Sequence, residues 1–181
     1  MRQSEQIIDL PAKTRQEIER YLGKGVVGRA IEAPIIDDPA TFMGLDGQQV
    51  LRVKVVHGKM AGKTRDITIS RLDRRDPQPA WRLDAGDDAW FGEVDARGSF
   101  VQYSTQEAKH GVISRYTPPQ PILLRGMRPG ESKEMRIEVS VFDLARPDRK
   151  KHSGYLDLTY TYVGAYEVTV PAGTFETVLF S

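Results

Sequence analysis

The chain has 181 residues, enough for a single domain spanning 1–181 with a hydrophobic core of its own. It carries 26 basic and 25 acidic residues, a net charge of +1, so no global field recruits nucleic acid or an anionic membrane surface. With no cysteine there is no disulfide framework, thiolate metal site or cysteine nucleophile, and no apolar run approaches the roughly 20 residues of a membrane-spanning helix.

The first residues, Met1–Gln6, lack the apolar region of a signal peptide. Two compartments therefore stay open, the cytoplasm or an envelope reached after a leader has been removed. Residues 11–23 carry the helix signal, with the helix itself at about 13–22. Thr14 followed by Glu17 has the spacing of a capping box, and Ile18, Tyr21 and Leu22 fall on one face at i, i+3 and i+4. Gly23 suits the left-handed position after the last turn. The expectation is a short amphipathic helix laid against a sheet. Gly23–Gly28 matches G-x-G-x-x-G literally, but a helix precedes it and β-type residues follow. That order is the reverse of a dinucleotide fingerprint, so the stretch reads as a helix stop leading into a strand, Val26–Ala33.

Pro34–Asp46 reads as loop, with Phe42 and Met43 tucked beneath it. Gln49–His57 and Thr64–Leu72 then alternate apolar and polar residues, the pattern of strands with one dry and one wet face. Beyond the charged loop Asp73–Pro79, strand signals recur at Ala80–Leu83, Ala89–Val94, Ser99–Thr105 and Val112–Tyr116, with turn residues between them. Pro118, Pro119 and Pro121 mark an extended segment unable to donate to a central ladder. Lys133–Leu144 and Tyr155–Val163 resume alternation around a charged tip, Ala145–Ser153, and Gly164 breaks the second of them. Val168–Phe180 is two β-type runs around Pro171-Ala172-Gly173, a hairpin whose turn is set by proline and glycine. Short strands every ten or so residues, with no βαβ unit, give a mainly β, antiparallel fold.

Pro118–Leu124, Arg128-Pro129-Gly130-Glu131 and Gly164–Thr177, with Val170-Pro171-Ala172-Gly173-Thr174-Phe175 inside it, resemble a family of uncharacterised bacterial envelope proteins. The resemblance implies a strongly curved antiparallel sheet, a half barrel similar to that of the periplasmic lipoprotein carriers of the LolA/LolB type, with the helix against its concave side. It also implies a periplasmic or envelope-associated protein. In such proteins several strands follow the hairpin, whereas this sequence stops at Ser181. That sets the expectation that Val178–Phe180 pairs with the N-terminal strands or with a second copy, a homodimer through an edge strand.

No arrangement of residues announces catalysis or a cofactor. The three histidines, His57, His110 and His152, are far apart, and no metal-ligand spacing is present. Asp84–Asp88 lacks the ligand order of a calcium loop and reads as a hairpin turn. Asp66, Glu93, Glu138 and Asp157 read as outward-facing solubilisers rather than a glycosidase pair. The Arg146–His152 tip and Arg71, Arg74 and Arg75 read as solvated loop ends, since nucleic-acid binding wants aromatics interleaved with positive charge.

The apolar faces carry more. Leu156, Leu158, Tyr160 and Tyr162 share one side of a strand that would line the concave side, with Trp90 and Phe100 as neighbours. Two readings of this face stand side by side. Large residues on a buried face ordinarily fill a core; the same residues can instead line a cavity for a lipid or another apolar small molecule. The six are the candidate ligand-binding residues of a non-enzymatic protein without cofactor or metal. The alternative is a structural or interaction module that pairs through a sheet edge.

Overall fold

Period-two alternation is realised as one open antiparallel sheet. In the computed structural model of the protein, residues 6–45, 49–55, 59–73 and 80–181 are described; His57, Gly58, Arg74 and Arg75 lie outside them. The chain runs β1 (Gln6–Ile7), α1 (Ala12–Leu22), β2 (Val27–Ala33), α2 (Pro39–Phe42), β3 (Gln49–Lys54), β4 (Thr64–Leu72), β5 (Ala80–Asp84), β6 (Asp88–Val94), β7 (Phe100–Glu107), β8 (Val112–Leu123), β9 (Ser132–Asp143), β10 (Lys150–Val170) and β11 (Gly173–Phe180). Among the described residues the strand order is β1-β2-β10-β9-β8-β7-β6-β5-β4-β3, and β11 joins it on β10. From β3 to β10 each strand pairs antiparallel with the next in sequence, so no crossover connection is needed. At the β6–β7 turn Asp95 Oδ1 accepts from the backbone N–H groups of Arg97 and Ser99 at 2.9 and 2.8 Å, and Gly98 takes φ +81°.

β10 is the strand on which both ends of the chain meet. Gly164 does not break it. The residue sits in a bulge, and the strand continues through Val170. Thr161 exchanges both backbone hydrogen bonds with Ser181, while the next residue, Tyr162, exchanges both with Gly130 and Glu131. Successive residues of a strand direct their backbone groups to opposite edges, so β11 and the start of β9 flank β10 on opposite sides there. Farther on, Ala165, Tyr166 and Val168 each pair with both β2 and β11. The last strand pairs with β10, its partner in the hairpin read from the sequence, and among the described strands it makes no pairing of its own with β1 or β2, to which β10 supplies the link.

The prolines form the expected extended segment. β8 runs through Pro118, Pro119 and Pro121, and its pairing to β9 ends at Thr117, before them. Its pairing to β7 breaks off after Arg115 and resumes at Gln120, so Pro118 and Pro119 fall in the irregularity, where no donor is required of them.

Among the described residues three apolar clusters hold the sheet. The first comprises Ala33, Ile36, Met127, Tyr160, Tyr162 and Ala165, and the second Leu45, Ile69, Trp81, Phe100 and Leu123. Phe180 packs against both. Their cover is residues 34–45, the stretch read as loop from its Pro and Asp content. Ile36, Pro39 and Leu45 are buried there, and α2 is a single turn. Asp38 caps that turn by accepting from the Thr41 N–H and hydroxyl at 3.2 and 2.9 Å, which holds its carboxyl below the usual carboxylate range. Phe42, expected beneath the loop, is 47% exposed.

The third cluster, Leu10, Val27 and Tyr166, lies on the opposite face of β2 and β10, because the bulge between Tyr162 and Gly164 reverses the alternation of β10 and an extra residue between Val27 and Ala30 reverses that of β2. This is where α1 packs, through Ile18, with Arg15 donating to the carbonyls of Val27 and Gly28 at 2.5 and 3.0 Å. Tyr21, expected on the packed face with Ile18, is 69% exposed, and Leu22 also faces water. A narrow strip of sheet, partly covered by Leu10 and Leu179, leaves room for one helical side chain. The Thr14–Glu17 capping box does not form either. The helix begins earlier, at Ala12, with Pro11 in the cap position, where its carbonyl accepts from Arg15 N–H at 2.9 Å.

Candidate apolar groove

A groove of about 240 Å³ opens on the face that carries the second cluster. Its position follows from register. Leu83 on β5 pairs directly with Trp90 on β6, and Gly92, two residues along β6, pairs with Gln102 on β7. Side chains at paired positions, and at every second residue along a strand, share one face. Phe100 of β7, Ile122 of β8 and Met43 after α2 complete the wall.

Two irregularities make the space. In the β6–β7 ladder Phe91 pairs with Ser104 and Gly92 with Gln102, so Tyr103 is an extra residue. The β7–β8 ladder shifts between the same two positions, Gln102 and Ser104. A bulge of this kind bends the strand and re-aims the side chains beside it. Gly92 provides the rest. A Cβ there would stand 2.4 Å from Phe100 Cζ, so the Phe100 ring lies directly on the glycine backbone. The ring is held from the side by Trp81, edge-on at 5.9 Å between centroids, and Trp81 Nε1 in turn donates to the Leu45 carbonyl at 3.2 Å. The floor is thus fixed by packing, while Trp90 stays half-buried at the groove. Among the described residues no charged side chain lines it, and Gln102 is the single polar one.

Of the six candidate ligand-binding residues, the structure brings Trp90 and Phe100 together here. The other four lie elsewhere. Tyr160 and Tyr162 belong to the first cluster, where Phe180 stacks on both rings at 5.1 and 4.7 Å. Their hydroxyls donate to the carbonyls of Ile122 and Pro34 at 2.6 and 2.8 Å. Burial pushes the Tyr160 hydroxyl well above the usual tyrosine range and that of Tyr162 up to about 12. Leu158 is half-buried at the border of this cluster, and Leu156 is 39% exposed on the β9–β10 ribbon. The tyrosines meet the groove only indirectly, because the carbonyl that Tyr160 engages belongs to the wall residue Ile122.

Met43, Leu83, Gly92, Gln102 and Ile122 escape a reading of the sequence. Two signals were present for part of the set. Leu83 and Trp90 stand symmetrically about Gly86-Asp87, and a glycine inside a strand, such as Gly92, marks close approach of another group.

The polar candidates are occupied. Asp66 accepts two hydrogen bonds from Arg52 at 2.9 and 3.1 Å. Glu138 meets Lys150 at 3.4 Å and Asp157 meets Arg136 at 3.7 Å. Asp84 accepts from the Gly86 N–H at 3.1 Å and from Arg82, as a hairpin turn requires. His110 lies 4.0 Å from Glu107 on the surface, and His152 is exposed on β10. A second concavity of about 500 Å³, lined by Glu134, Arg136, Asp157 and Leu158 among others, is a solvated surface of the β9–β10 ribbon. Among the described residues no group of three or more His, Asp or Glu side chains is placed to hold a metal ion, and no helix is long and apolar enough to cross a membrane. Compared with family models, curated proteins and solved structures, the chain finds no match, and the functional reading is carried by the geometry of the groove.

Proposed function

We propose that the protein is a non-enzymatic binding protein that takes an apolar small molecule into the groove over Trp90 and Phe100. The observation that carries this is an open apolar space over a sheet face that is otherwise close-packed. Aromatic and aliphatic side chains line it, and a single polar residue stands among them. The mechanism is sequestration, in which the ligand leaves water for an apolar wall that is already in place. The resemblance of Pro118–Thr177 to envelope proteins supports the half-barrel reading of the sheet and a place in a bacterial envelope, where apolar cargo needs carriers.

The protein has two tryptophans, Trp81 and Trp90, so binding is read by tryptophan fluorescence. Titration with apolar probes should give a saturable change that Trp90→Phe removes. A flat titration across a panel of apolar compounds, together with native mass spectrometry showing no co-purifying mass, would sink the proposal.

A second reading has its own observation. β3 pairs only with β4 among the described strands and carries Val50 and Leu51 exposed. An edge with that composition favours pairing with another strand, including a second copy of the chain. Sedimentation velocity of the protein and of Val50→Lys separates this from the groove reading, since a concentration-independent monomer excludes it.

A further inference from the structure

The groove is small, uncharged and aromatic, and these three properties together define what fits. Cavities that hold drug-sized ligands run from about 300 Å³ upward, and an apolar cavity of about 150 Å³ holds benzene. At the roughly 30 Å³ that a molecule of water takes in the liquid, the 240 Å³ of the groove has room for on the order of eight non-hydrogen atoms. A whole lipid chain is too long for it. A single ring with a short substituent is the right size.

Charge is excluded by the same walls. With no cationic or anionic side chain among the described residues of the lining, a carboxylate or ammonium group would lose its hydration without gaining a partner there. Aromatic and sulfur-bearing neighbours favour a flat ring over a flexible chain: Trp90 and Phe100 offer ring edges and faces, and Met43 offers a thioether beside them. The exception to the apolar lining is Gln102, set beside the Tyr103 bulge and opposite Gly92. A glutamine amide both donates and accepts, so it suits a neutral hydroxyl or amide rather than an ion.

We propose that Gln102 makes this groove selective for a small, uncharged, single-ring aromatic molecule that carries one hydrogen-bonding group. The proposal rests on the binding function argued above and adds to it the class of ligand and the residue that selects it. A site built around a hydrogen-bonding group discriminates against the analogue that lacks the group, because its own polar atoms are then buried unpaired.

The test compares three single-ring probes of similar size, p-cresol, toluene and benzylammonium, on the full chain at neutral pH, using the Trp90 indole N–H resonance. The expected result is saturable binding of p-cresol, binding of toluene about tenfold weaker, and no binding of benzylammonium. Gln102→Met, a change of similar length, should weaken p-cresol about tenfold and leave toluene unchanged, toluene binding also showing that the variant is folded. Equal affinity of the unmodified protein for p-cresol and toluene overturns the role of Gln102 without need of the variant, while leaving the groove as an apolar site. Binding of benzylammonium as tight as p-cresol overturns the exclusion of charge. If none of the three moves the Trp90 signal, the binding function itself falls, and the proposal with it.

Discussion

The ring of Phe100 lies against the backbone of Gly92, so close that a Cβ at that position would come within 2.4 Å of Cζ. One methyl group at Gly92 therefore forces Phe100 off its seat between Trp81 and the β6 backbone. Gly92→Ala is expected to cost about 1–3 kcal/mol by overpacking, read as a lower urea midpoint with an unchanged slope. Because Phe100 is also a wall of the groove, ligand binding should weaken in the same variant. Phe100→Leu in the Gly92→Ala background should restore part of the stability, since it removes the colliding atoms. Additive losses in the double variant would show that the two residues do not share this contact.

Phe180 joins the two clusters on one side of the sheet and stacks on Tyr160 and Tyr162 at 5.1 and 4.7 Å. Its removal unseats the end of β11 and uncovers both tyrosines. Phe180→Ala is expected to cost about 2–4 kcal/mol, toward the lower end for a large-to-small change because the ring is only partly buried. Phe175, on the same strand but 50% exposed, provides the internal comparison. Its alanine variant should lose less than about 1 kcal/mol. Equal losses at the two positions in chemical denaturation would contradict the assignment of Phe180 as the bridge.

The contrast between these two residues also marks how far the sequence could be read. Alternation locates Thr64–Leu72 and the Pro171–Gly173 hairpin correctly, because period-two patterning and turn chemistry are local. It places Tyr160 and Tyr162 on an apolar face correctly as well. What it could not supply is the partner of that face. Phe180 reaches the tyrosines through a bulged hairpin, and Ile36 reaches them from a stretch whose Pro and Asp content reads as loop. The groove was hidden for the same reason. Met43 and Ile122 come from segments without strand or helix periodicity, and the space between them depends on the Tyr103 bulge, which no local pattern encodes. Trp90 and Phe100 were visible because large aromatics on an alternating strand stand out in any register.

Tyr162 donates to the Pro34 carbonyl at 2.8 Å and is fully buried, which raises its ionisation to about 12 from the usual value near 10. The folded state thus holds its proton more tightly than the unfolded chain. The stability this contributes is complete below about pH 10 and is lost as pH rises from there through 12. Over that window Tyr162 accounts for up to about 2–3 kcal/mol, at 1.36 kcal/mol for each unit of pKa. Alkaline titration followed by circular dichroism should show stability falling above pH 10. Tyr162→Phe should be less stable at neutral pH, because the Pro34 carbonyl loses its donor, and should show a flatter decline above pH 10. A decline as steep in the variant would assign the alkaline transition to another group.

Trp81 and Trp90 stand on neighbouring strands and face the same side, yet they should respond differently to substitution. Trp81 is buried and donates from Nε1 to the Leu45 carbonyl at 3.2 Å, tying residues 34–45 down onto the sheet. Phenylalanine keeps most of the ring contact with Phe100 but leaves that carbonyl buried without its donor, a loss of about 1–2 kcal/mol. The effect should travel along the cover. The amides of Met43, Gly44 and Leu45 bond to the carbonyls of Pro39, Thr41 and Ala40, and their hydrogen exchange should quicken in Trp81→Phe as the segment opens more often. Met43 is part of the groove wall, so affinity for p-cresol should fall although Trp81 does not line the groove. Trp90→Phe should do the reverse, weakening the ligand while leaving exchange at those three amides unchanged. If Trp81→Phe leaves their exchange untouched, the Leu45 bond does not hold the cover, and the groove owes its shape to the Tyr103 bulge and Gly92 alone.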